Sequence, residues 1–236
     1  MRRFLFLLVL ALAGCGVPAG YDVYVAAEDW NPSAPAMRDR AETFRQVSRA
    51  VGNAARAECA RQPGGRNCDF VILVDLDPFE SPNAFQTLDK SGRPLIIFTQ
   101  KMIKSARNGD EMAFVMGHEA AHHILGHIAR QLEYQKEAAR IFGEEARAQG
   151  AGPEEIDLAR ELGAEVGRRS YTKQFELEAD RMGTVITYAA GYDPLVGMAY
   201  FGRIPDPGDR FFASHPPNAR RVEAVLETVT EMGLIQ

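Results

Sequence analysis

The chain is poor in several things at once. Three cysteines in 236 residues are too few for a disulfide-built scaffold. Lys and Arg together number 27 against 32 Asp and Glu, a net charge of -5 with no basic cluster, which excludes a nucleic-acid partner held by its phosphates. The longest apolar run, Phe4 to Ala13, is about half of the roughly 20 residues a bilayer-spanning helix needs, and no later segment is longer. There is no internal repeat. What remains, 46% apolar and 25% charged, is the composition of a globular chain with one sizeable core.

That short apolar run follows Arg2 and Arg3 and precedes small residues, the pattern of a secretory signal. Leu12-Ala13-Gly14-Cys15 resembles a bacterial lipobox, which implies cleavage after residue 14 and acylation of Cys15. Gly16, where an Asp would retain a lipoprotein at the inner membrane, points to the periplasmic face of the outer membrane. Without Arg2 and Arg3 the net charge moves from -5 to -7. Cys59 and Cys68 flank a Pro-Gly-Gly loop and could close a short disulfide in an exported protein. The expected organisation is a signal peptide over 1–14, a lipidated tether over 15–32 and one domain over 33–236.

Within that domain, Met37, Ala41, Phe44, Val47, Val51 and Ala55 recur at helical spacing up to the Pro63-Gly64-Gly65 breaker. FVILVDL (Phe70 to Leu76), Ala84 to Leu88 and PLIIFTQ (Pro94 to Gln100) read as strands of a small antiparallel sheet, with a turn at Asp89 to Gly92. From Asp110 onward the pattern is helical almost throughout. One helix runs through the histidines to about Tyr134, two charged, Ala-rich stretches are split at Gly150 to Pro153, one spans Thr172 to Ala190, one opens at Asp193-Pro194, and the last starts near Pro217. The fold class is α+β, mainly helical.

Four of the five histidines lie in MAFVMGHEAAHHILGH, residues 112 to 127. Residues four apart on an α-helix sit about 40° apart, so His118 with His122 and His123 with His127 are both face-sharing pairs. A hydrolytic zinc site also needs a carboxylate beside the ion to take a proton from water, and in HExxH it follows the first histidine directly. Glu119 follows His118, whereas Ile124 follows His123. The metal pair is therefore His118 and His122. His127, about 180° round a continuous helix from His118, reads with His123 as a partly buried or solvated side chain.

A third histidine at the HExxHxxGxxH spacing is missing, because Leu125 and Ile128 stand where Gly and His are needed. A carboxylate on a later helix is left. In FELEADRMG, Glu176 and Asp180 share a helix face while Glu178 points about 160° away from Asp180. One of the pair could bind the ion and the other orient a ligand histidine from behind.

HEAAH followed by ELEAD resembles the HExxH and ExxAD pair of the HtpX-like zinc metallopeptidases, which include the CAAX prenyl endopeptidase and mitochondrial Oma-type proteases. PNAF (Pro82 to Phe85), GDEMAFVMGHE, ADRMG, AGYDP and SHPPNARRV resemble further segments of that family, so the likeness runs over roughly residues 70 to 230. Gln86, where many relatives have Ala, and a longer turn at Asp89 to Gly92 depart from it on the substrate side. The resemblance implies a zincin-like domain, one zinc ion per chain on His118, His122 and Glu176, and Asp180 behind a ligand histidine. It implies Glu119 as general base, and His215 and Arg221 beside the developing oxyanion. It also implies polypeptide substrates, here unfolded or misassembled envelope proteins, bound as an added strand along the LIIFTQ edge. Membrane-embedded relatives have transmembrane helices that this chain lacks. The competing expectations are a latent protease, its cleft covered by the 135–168 helices or by a fourth ligand, and a zinc-stabilised, chaperone-like binding lipoprotein.

Overall fold

In the computed structural model, residues 24–170, 172–208 and 215–235 are described. The apolar run Pro94–Thr99 forms strand β4, buried along nearly its whole length because it has a neighbour on each side. β3 (Ala84–Leu88) returns against it as a hairpin, with Ala84 opposite Phe98 and Leu88 opposite Pro94. Its turn is closed by Asp89, whose carboxylate accepts from the backbone N–H of Ser91 and Arg93, and by Gly92 at φ 81°. On the other side β2 (Val71–Asp75) runs parallel to β4, and β1 (Tyr24–Ala26) pairs antiparallel with β2.

The sheet is therefore mixed, in the order β1-β2-β4-β3, and not antiparallel throughout. The turn at Asp89 to Gly92 fixes only the β3–β4 hairpin. A fully apolar central strand reads the same whichever way its other neighbour runs. β4 has no free edge; the edge belongs to β3. β1 also lies within the stretch expected to be tether.

Helix α1 (Pro35–Arg61) packs its Ala41, Phe44, Val47, Val51 and Ala55 face on the core, where Phe44 meets Phe98 at 5.1 Å and Trp30 stands edge-on to Phe44. Thr99 caps the short α2 (Gln100–Ser105) through Oγ1, which accepts from the N–H of Met102. α3 (Gly109–Ile124) is the central helix. Asn108 caps it by accepting from the N–H of Glu111, and Asp110 and Glu111 sit in its first turn, where the helix dipole favours anions. Met112, Phe114, Met116, Ala120 and Ile124 are buried around most of its circumference.

The expected single helix to Tyr134 is interrupted. Gly126, at φ 70° and ψ 31°, closes α3 with a left-handed cap, the N–H of Leu125 bonding to Ala121 O and that of Gly126 to His123 O. α4 (His127–Ala148) then departs in a new direction and pairs with α5 (Pro153–Ser170), where Gly163 and Gly167 lie against the backbone of Ala138 and Tyr134. Cys59 and Cys68 are disulfide-bonded, and the loop they close lies against this joint: His123 Nε2 donates to Asn67 O at 2.9 Å, and Arg66 packs beside Gly126.

α6 (Thr172–Ala189) crosses α3 at two glycines. A Cβ on Gly117 would lie 2.9 Å from Gly183 O, and one on Gly183 would lie 2.9 Å from the His118 backbone N. α7 (Pro194–Gly197), a 3-10 turn (Met198–Gly202) and α8 (Asn218–Glu231) complete the fold around a second apolar cluster of Phe114, Phe201, Val225 and Val229. Among the described residues no helix is long and apolar enough to cross a membrane.

Because the atoms facing Gly183 are backbone, a methyl group there cannot be accommodated by a rotamer change. Gly183→Ala is expected to cost about 1–3 kcal/mol, lowering the Tm of thermal unfolding followed by circular dichroism by several degrees. Gly202→Ala, with nothing within 4 Å of its added Cβ, is the control and should leave Tm within about a degree. Equal Tm values for the two variants would show that the crossing is not tight.

Candidate active site

α3 places His118 and His122 one turn apart, and α6 brings Glu176 onto the same point from across the glycine crossing. Their ligand atoms form a triangle. His118 Nε2 and His122 Nε2 are 3.0 Å apart, His118 Nε2 and Glu176 Oε2 3.4 Å, and His122 Nε2 and Glu176 Oε1 3.3 Å. Ligands at about 2.0–2.1 Å from a tetrahedral zinc ion are separated by about 3.3–3.4 Å, so the three sides fit the geometry and the donor set of such a site. Asp180 is not part of the triangle.

Asp180 instead fixes His118 from behind. Its Oδ1 accepts from His118 Nδ1 at 2.8 Å, so that ring nitrogen carries the proton and Nε2 turns a lone pair toward the triangle. Burial works against a charged His118 ring, but the carboxylates of Asp180 and Glu176 outweigh it and raise its pKa to about 10, so a metal at Nε2 would displace a proton there. Burial would likewise raise the carboxyls of Glu176 and Asp180. The donors His118, His122 and His215 hold Glu176 well below the usual range, and Arg221 with His118 holds Asp180 low. A buried Glu176 carboxylate kept ionised beside two imidazole nitrogens suits a cation at that point.

Arg221, expected beside the oxyanion, does line a recess with His118, Glu119 and His215. Its Nε and Nη2 both donate to the Asp180 carboxylate at 2.7 Å, and its guanidinium lies 4.1 Å over the Phe201 ring. His215, half exposed, donates from Nδ1 to Glu176 Oε2 at 2.6 Å. Glu119 accepts no hydrogen bond from any described residue, and burial raises its carboxyl pKa although the His118 and His122 charges pull it down. It stands where two clefts meet. One is an apolar recess of about 310 Å³ lined by Met102, Phe114, Val115, Phe201 and Ile204. The other runs past His122 along Asn83 to Gln86 of the β3 edge.

Two residues have more to do with the site than their spacing suggested. His127 starts α4, and because the helix breaks before it, its Nδ1 lies 2.8 Å from His122 Nδ1. Glu178, on the far side of α6 from Asp180, bonds to His127 and to Arg130. The signal for the break was Gly126 itself, a glycine two residues after Ile124 at the end of an apolar helix. Cys15 lies outside the described residues.

The chain is similar to known proteins over part of its length. A Vibrio cholerae protein named, provisionally, as a beta-barrel assembly-enhancing protease is 34% identical over 120 residues, 48% of this chain and 24% of its own length. The beta-barrel assembly-enhancing protease of Escherichia coli K12 is 26% identical over 129 residues, 52% of this chain and 26% of its own. The mitochondrial metalloendopeptidase OMA1 of Arabidopsis thaliana is 25% identical over 137 residues, 56% of this chain and 27% of its own. The matched part thus spans about a quarter of each relative. The sequence profile of peptidase family M48 matches residues 42–229, from α1 through the metal triangle to α8, and the chain belongs to that family.

Proposed function

We propose that this chain is a zinc metalloendopeptidase that cuts unfolded or misassembled proteins of the bacterial envelope, holding one zinc ion on His118, His122 and Glu176. The observation that carries the reading is the position of Glu119, a carboxylate with no hydrogen bond from any described residue, beside a triangle of three ligand atoms and at the junction of two clefts. A site that merely stabilised the fold would have no use for an ionisable acid there.

A bound zinc ion supplies Lewis acidity, lowering the pKa of a coordinated water toward about 7 and polarising the scissile carbonyl. Glu119 takes the proton as the water oxygen bonds to the carbonyl carbon, and returns it to the amine nitrogen as the C–N bond breaks. His215 is the side chain beside the ligands with freedom to donate to the oxyanion. Arg221 is assigned to holding Asp180, and through it the His118 ring, since its Nε and Nη2 both donate there. The substrate is assigned to the β3 edge as an added strand, not to β4, and the apolar recess beyond Glu119 suits a large apolar side chain.

The envelope assignment is supported by the lipobox at Cys15, by the Cys59–Cys68 disulfide, which belongs in an oxidising compartment, and by relatives named for beta-barrel assembly. A latent or chaperone-like protein is the alternative. One observation favours it: the His215 ring, against Glu176, is close enough to cover the site.

Three expectations follow from these assignments. Glu119→Gln should keep zinc and fold but lower casein cleavage by at least about 100-fold, because only the proton acceptor is removed; undiminished cleavage sinks the assignment, and a zinc-loaded wild type that cuts nothing under any condition favours the latent alternative. Glu176→Gln should lose zinc outright, whereas Asp180→Asn should weaken binding by only about 10- to 100-fold, as measured by metal stoichiometry and chelator competition. Cys15→Ser should release the protein from membranes after a salt wash, and retention in the membrane fraction would exclude the acyl anchor.

A further inference from the structure

His118 has a carboxylate behind it to set its proton, and His122 has none. What lies behind His122 is another histidine. His127 is buried, its ring stacked on Phe175 at 4.4 Å with 9° between the planes, and its Nδ1 is 2.8 Å from His122 Nδ1. Its other nitrogen, Nε2, is 3.1 Å from Glu178 Oε2. Glu178 is itself held in place, accepting from Arg130 Nη1 on Oε2 and from Gln174 Nε2 on Oε1, both at 2.7 Å.

The protons in this row can be placed by counting. A ligand His122 presents an Nε2 lone pair to the ion, so a neutral His122 carries its proton on Nδ1. Two nitrogens 2.8 Å apart share one proton, so His127 Nδ1 must be the acceptor. A neutral His127 then has its proton on Nε2, which faces the acceptor Glu178. Every group in the row is satisfied by this arrangement. The opposite one would put a proton on His122 Nε2, pointing at the ligand position.

We propose that His127 and Glu178 are positioning residues for the metal centre: together they hold His122 as its Nδ1–H tautomer and aim its Nε2 at the ion, the part that Asp180 and Arg221 play for His118. The proposal rests on the metal-site reading above. It also gives the helix break at Gly126 a purpose, since a continuous helix would carry His127 to the side opposite His118.

Zinc affinity of the full-length protein, measured by competition with a chromophoric chelator, tests it in three variants. His127→Leu keeps bulk against Phe175 but removes the acceptor, and Glu178→Ala removes the anion that orders His127; each should weaken zinc binding by about 10- to 100-fold. His127→Asn, whose Oδ1 takes the place of the Nδ1 acceptor, should restore affinity to within about threefold of wild type. A change in packing alone would not separate Asn from Leu. Zinc binding by His127→Leu as tight as wild type, or an Asn variant as weak as the Leu one, overturns the proposal. Should the variants fail to fold, nitrogen-15 correlation spectra of the zinc-loaded wild type report the same point, with neutral His122 protonated on Nδ1 and neutral His127 on Nε2; His127 protonated on Nδ1 overturns it. A wild type that takes up no zinc removes the metal centre itself and this proposal with it, whereas zinc uptake with no difference among the variants removes the relay alone.

Discussion

Gly117 and Gly183 face each other where α3 crosses α6, and neither position has room for a methyl group without pushing the two backbones apart. The crossing lies immediately before His118 on one helix and three residues past Asp180 on the other. It therefore sets the separation of the helices at the level where the ligand atoms must converge. The two histidines come from one helix and need only its pitch. The third ligand comes from another helix, and its 3.3–3.4 Å distances to them depend on how closely the two axes approach. Side chains at the crossing would move Glu176 outward, and its short carboxylate stem could not make up the distance.

Electrostatics add a second constraint, because the crossing buries groups that water would otherwise hold. Asp180 is fully buried, Glu176 and His118 nearly so, and two carboxylates that close repel each other in a poorly screened interior. Arg221 answers one of them with a bidentate pair, brought in from α8 and seated on Phe201. Among the described residues Glu176 receives histidine donors and one long approach from Arg221 at 3.6 Å, so its charge is left facing the triangle. The uneven distribution of cations is what distinguishes a ligand from its supporting acid here, although both are acids on one helix face.

Much of this was legible beforehand, and what was not has a common cause. HEAAH and ELEAD are short-range patterns whose geometry follows from helical pitch alone, so His118, His122, Glu119, Glu176 and Asp180 could be placed on their faces without a structure. Glu176 as ligand and Asp180 as support came from family resemblance, since periodicity gives the two acids the same face. The sheet was misread as antiparallel because only the β3–β4 hairpin has a local turn signal, while the β2–β4 pairing is made across more than twenty residues. The pairing of Arg221 with Asp180 and the contact of His127 with His122 were not legible for the same kind of reason. The partner of Arg221 is 41 residues away, and His127 meets His122 only because one residue, Gly126, adopts a left-handed conformation that redirects everything after it.

The elements that hold the candidate metal site differ in kind from those that border the clefts. The ligands and the groups behind them stand on α3, α4, α6 and α8, locked by glycine contacts, buried ion pairs and ring stacking. The clefts are bounded by an edge strand, by the 3-10 turn at Met198–Gly202 and the residues after it, and by His215 just ahead of α8. Substitution at Gln86 changes a cleft wall without touching a ligand or its support, because no residue of the triangle is bonded to it. Substitution at Gly183, Asp180 or Arg221 cannot be confined in that way. On the proposed reading, a fold divided like this can change what it cuts while keeping how it cuts, and the departures from the family pattern at Gln86 and in the β3–β4 turn fall on the cleft side.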